Sequence, residues 1–160
     1  MILLIIATLT QSILGLHTQF NGIHPNLVLV LVLAWSLLFP WPETAIWVFV
    51  AGFILDIFSG LAFGLSTVSL LAVSLLATLW RTNDGVNSIL AILLALPYTL
   101  VFNIIILSLL MIITGKSVAW VSMITQFFFL EGVLNVIAML FIYPWIIWLT
   151  KIERSDVLKL

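Results

Sequence analysis

Apolar stretches follow one another from end to end of this 160-residue chain, with breaks of only a few residues between them. Six can be marked, at about 1–16, 27–39, 44–58, 65–80, 88–114 and 118–150. The breaks carry turn chemistry: Asn21-Gly22 and His24-Pro25-Asn26, then Pro40-Trp41-Pro42-Glu43, Ser59-Gly60 to Gly64, Arg81 to Asn87, and Gly115-Lys116-Ser117. In hydrocarbon the backbone N–H and C=O groups must be satisfied inside the protein, so unbroken apolar runs in series predict helices. Charged residues make up 7% of the chain, against about 25% in a soluble domain. The expectation is an all-α integral membrane protein of about six transmembrane helices in one bundle. A single domain covers 1–150, and 151–160 form a short cytoplasmic tail.

A helix needs about 20 apolar residues to cross a bilayer core of roughly 30 Å. The second and third stretches fall short, so they either cross where the membrane thins or form a re-entrant hairpin about the Pro-Trp-Pro link. The last stretch is over-long, and its end is expected to bend into the interface from Tyr143-Pro144 onward, with Trp145 and Trp148. With six crossings, Arg81, Lys151, Arg154 and Lys159 fall on one side and Lys116 on the other. This puts both termini in the cytoplasm. Met1 to Leu16 lacks the positive n-region and cleavage site of a signal peptide and reads as a retained first helix.

Charge and composition also exclude function classes. The net charge of −1 leaves no basic surface for nucleic acid. The chain has no cysteine, which excludes disulfides and thiolate chemistry. His17 and His24 have no acid or thiol beside them and read as surface residues, not metal ligands. No H-E-x-x-H or G-x-S-x-G sequence is present. Neither an enzyme nor a cofactor is expected.

Polar residues inside the apolar runs are few and patterned. Gly52, Asp56, Gly60 and Gly64 lie four residues apart, a step that returns to nearly the same helix face. They form a small-residue stripe with one acid, suited to close helix contact. An ionisable group within a membrane span costs about 2.5–3.5 kcal/mol, so its retention points to a partner. The other such acid is Glu131, with Asn135 one turn on, and Asn103 in the fifth stretch lies one turn after Thr99. Asn103, Glu131 and Asn135 are expected to form an intramembrane polar network between the two long helices.

Residues 24–64 also carry a wider pattern. His24-Pro25-Asn26 enters a short span that closes at Phe39-Pro40, and G-x3-D-x3-G-x3-G follows at Gly52, Asp56, Gly60 and Gly64. In this the chain resembles the rod shape-determining protein MreD family of bacteria. The resemblance implies a non-catalytic inner-membrane scaffold or regulator of cell elongation and lateral peptidoglycan synthesis. It would work with MreC, a single-pass membrane protein, and in a larger complex with RodA, a transpeptidase and MreB. It also implies a fold like the substrate-binding subunits of energy-coupling-factor transporters, which supplies the alternative of a small-molecule-binding transport subunit. The partner-binding residues expected on this reading are Gly52, Asp56, Gly60, Gly64, Pro25 and Asn26. The chain departs from the family in having His24 where arginine is frequent, and in opening on Met1-Ile2-Leu3 without a basic segment.

Overall fold

A computed structural model describes residues 25–59, 62–81, 86–115 and 129–157. The first apolar stretch, His17, His24, Gly60 and residues 116–128 lie outside the described residues. The rest form five helices: α1 (Leu27–Leu38), α2 (Trp41–Ser59), α3 (Leu65–Thr78), α4 (Ser88–Thr114) and α5 (Phe129–Val157). Among the described residues there is no strand. Three helices contain segments long and apolar enough to cross a membrane, Trp41–Phe58, Ser88–Thr114 and Phe129–Thr150.

The centre of the bundle is α1. Its sequence alternates Leu and Val from Leu27 to Leu33, a pattern that elsewhere favours strands, yet only a helix satisfies the backbone from within one segment. The Asn26 side chain caps it, Oδ1 accepting from the N–H of Leu29 at 3.1 Å. Nine of its twelve residues are buried, and it packs against all four other helices. At ~1.5 Å per residue it is about 18 Å long, short of a full crossing, as its apolar run implies.

The third stretch extends further than its apolar core. Trp41-Pro42-Glu43, read from sequence as a link, form the first turn of α2, which reaches 19 residues. Proline is compatible with the opening turn of a helix because the N–H it lacks has no intrahelical partner there. The carbonyl of Pro40 accepts from the N–H groups of Glu43 and Thr44, at 3.2 and 3.1 Å. With that turn included, α2 is long enough to cross, and α3 packs along it.

The antiparallel pair α4 and α5 closes the bundle. Cross-links step down one helix as they climb the other: Asn103 to Glu131, Thr99 to Asn135, and Val86, just before α4, to Tyr143. Gly115, in the left-handed conformation at φ 65°, ends α4 with its N–H on the Met111 carbonyl at 2.9 Å. The helix α5 remains helical through Pro144 and on to Val157, so the seven residues expected to open a tail continue it. Tyr143 is fully buried, and its hydroxyl donates to the Val86 carbonyl at 2.8 Å.

Asn135 joins three elements: its Nδ2 donates to Thr99 Oγ1 at 2.9 Å and its Oδ1 accepts the Asn26 N–H at 2.7 Å. Replacing it by Leu removes both the Asn26 and the Thr99 bonds at a buried site, with an expected loss of about 1–3 kcal/mol. Thermal unfolding of the purified Asn135→Leu variant in detergent measures this; an unchanged midpoint would contradict it.

Candidate partner-binding site

Helix α3 begins without a capping side chain of its own. Its N-cap residue is Gly64, at φ 94°, in a conformation glycine adopts without penalty. The first N–H groups of a helix have no intrahelical acceptor, and here the acceptor comes from α2. Asp56 Oδ1 accepts from the N–H of Ser66 at 2.8 Å. Its Oδ2 accepts from the N–H of Gly64 at 3.0 Å, the N–H of Thr67 at 3.1 Å and the hydroxyl of Thr67 at 2.6 Å. An ionised carboxylate is purely an acceptor, so four converging donors and the positive end of the α3 dipole match its chemistry. Asp56 is 3% exposed, which places the acid inside the fold and not on a lipid-facing edge.

Gly52, one turn before Asp56, serves the same contact. A Cβ at Gly52 would lie 2.5 Å from the Thr67 Cα, so the α2 and α3 backbones meet at a distance no side chain permits. Two members of the sequence stripe thus bind α2 to α3, and a third, Gly64, forms the turn into α3. Gly60 lies outside the described residues. Asn26 is buried as the α1 cap and as the donor to Asn135, with Pro25 half-buried before it.

The three polar residues of the long helices are placed between α4 and α5 in two separate bonds. Asn103 Nδ2 donates to Glu131 Oε2 at 2.9 Å, and one turn away Asn135 donates to Thr99. Asn135 and Thr99 are fully buried, whereas Asn103 and Glu131 are half-buried at the edge of the helix pair. Sequence reasoning missed Ser66 and Thr67 as donors to Asp56. The available signal was Gly64, a residue with no side chain to cap α3. It also missed Ser36, which meets Ser74 at 2.8 Å between α1 and α3. No group of three or more metal-ligating side chains comes together among the described residues.

These features define an all-helical membrane protein whose intramembrane polar groups largely hold its own helices together. The family model described as rod shape-determining protein MreD matches residues 1–152, and the chain belongs to that family. Its role is therefore in rod shape determination, in a family of shape-determining structural proteins and not a known family of enzymes. No curated protein and no solved structure matches the chain.

Two substitutions test this corner. Asp56→Asn places an amide among N–H donors, and the variant is expected to lose about 2–3 kcal/mol, the scale of hydrogen bonds to a charged group. Thermal unfolding in detergent is the readout, and wild-type stability would contradict the cap. Gly52→Ala is expected to lower the unfolding midpoint by several degrees, about the shift that 1–2 kcal/mol gives a domain of this size. Gly132→Ala, whose added Cβ would sit 3.5 Å from Leu96 Cγ in ordinary contact, is expected to leave it unchanged.

Proposed function

We propose that this chain is a non-catalytic scaffold or regulator of the rod complex in the bacterial inner membrane. It binds an MreC-like single-pass membrane protein and, in the larger assembly, RodA, a transpeptidase and MreB. The family match over residues 1–152 is the observation that carries this reading. Six crossings with both termini in the cytoplasm, in a fold like that of energy-coupling-factor substrate-binding subunits, belong to the same proposal.

The hairpin residues take part as the frame of a docking surface. Gly52, Asp56 and Gly64 fix how α2 and α3 meet, and Pro25 and Asn26 fix where α1 enters the bundle. A partner helix reads the surface these contacts shape. Affinity between membrane helices comes from close packing and a few hydrogen bonds, so a rigid surface favours it. The alternative, a small-molecule-binding transport subunit, calls for polar groups converging on a pocket. In the described residues they pair off instead, Asn103 with Glu131 and Asn135 with Thr99, which favours the scaffold.

Affinity purification of the tagged protein from its native membranes in mild detergent, followed by mass spectrometry, tests the proposal. An MreC-like single-pass protein is the expected companion, with lower yield from Asp56→Ala in step with that variant's lost thermal stability. Recovery of ATPase subunits and a coupling membrane protein would replace the scaffold with the transport reading.

A further inference from the structure

The partly buried pair formed by Asn103 and Glu131 lies far from either end of α4. Asn103 is fifteen residues on from Ser88 and eleven before Thr114, which at ~1.5 Å per residue puts it about 22 Å and 17 Å from those ends. Glu131 is bonded to it and so lies at the same depth. Among the described residues, the other side chains paired between helices, Asp56 with Thr67, Ser36 with Ser74 and Thr99 with Asn135, are buried. Asn103 and Glu131 are instead only partly buried between α4 and α5. The residues next along each helix, Ile104 and Leu130, are exposed and apolar.

A carboxyl in that position has an unmet requirement. Asn103 donates a single bond to Oε2, while a carboxyl group offers acceptor positions on both oxygens. Lipid tails supply no donor, and an ionisable group left facing them is costly. The open acceptor positions of Glu131 and of the Asn103 amide beside it are complementary to a membrane helix that carries a donor at the same depth.

We propose that Glu131 and Asn103, flanked by Ile104 and Leu130, form the contact site for a partner transmembrane helix bearing a hydrogen-bond-donating side chain at mid-membrane. This rests on the scaffold reading above and names where its single-pass partner binds. The donor, a hydroxyl, amide or basic group, fixes the register of the partner helix, and the flanking apolar residues supply the packing.

The absence of cysteine from the chain makes the test direct. Single cysteines at Ile104, Leu130 and, as a control on α3, the exposed Leu75 are combined with cysteines along the partner's membrane helix and oxidised in native membranes. Adducts of the two chains are expected from Ile104→Cys and Leu130→Cys and not from Leu75→Cys. In parallel, partner recovery is measured with Glu131→Gln, which retains an acceptor, and with the double variant Asn103→Leu/Glu131→Leu, which leaves no unpaired polar group. The double variant is expected to lower recovery about threefold, the effect of losing one hydrogen bond between membrane helices, while Glu131→Gln keeps most of it.

Undiminished recovery with the double variant, or adducts only from Leu75→Cys, would overturn this site and leave the scaffold reading standing. Adducts of two copies of this chain from Leu130→Cys would replace the partner with self-association. If the wild-type chain recovers no single-pass partner at all, the scaffold reading and this site fail together.

Discussion

The carboxylate of Asp56 is the contact on which the arrangement of α2 and α3 depends. Turning the chain back within the membrane exposes the first N–H groups of the returning helix, and hydrocarbon offers them no acceptor. Here Gly64 makes the turn but cannot cap, and Asp56 on the preceding helix takes over the Gly64, Ser66 and Thr67 N–H groups and the Thr67 hydroxyl. The cap and the close approach at Gly52 act on the same contact, since Thr67 both bonds the carboxylate and lies against Gly52. A costly acid is thus retained for what it does to its neighbouring helix.

The rest of the bundle follows the same logic with neutral groups. The short helix α1 is too well enclosed to be held by lipid contact and is fastened by polar bonds at its entry, through Asn26 and Asn135, and near its far end, through Ser36 and Ser74. Thr99, Asn135, Tyr143 and the Val86 carbonyl set the antiparallel register of α4 and α5. Each bond between membrane helices contributes about 0.6 kcal/mol on average, so their weight lies in specifying one packing among many similar apolar ones. Together they fix one shape for this protein of rod shape determination.

Much of this was legible in the sequence. The apolar run at 88–114 has the same bounds as α4, and the shortness of α1 was recognisable. Four-residue spacing put Gly52 and Asp56 on one face and marked it as a contact face. Periodicity does not say which helix covers a face, and the covering helix for these two proved to be α3 of the same chain. The start of α2 was hidden because Pro40-Trp41-Pro42 reads as a turn, although Pro42 fits a first helical turn as well. Asn103, Glu131 and Asn135 were visible as the polar residues of two long helices. Their division into two bonds, and the link from Asn135 to Asn26, 109 residues away in sequence, depend on tertiary register that no local pattern encodes.

Asp56 is engaged within the chain and does not wait for a partner. Amide hydrogen exchange of the purified protein alone, in lipid nanodiscs, addresses this most directly. Slow exchange is expected at Ser66 and Thr67 with no other protein present, since both amides are bonded to the carboxylate. Fast exchange at these two amides that slows only when a partner is added would contradict it and return Asp56 to the partner interface.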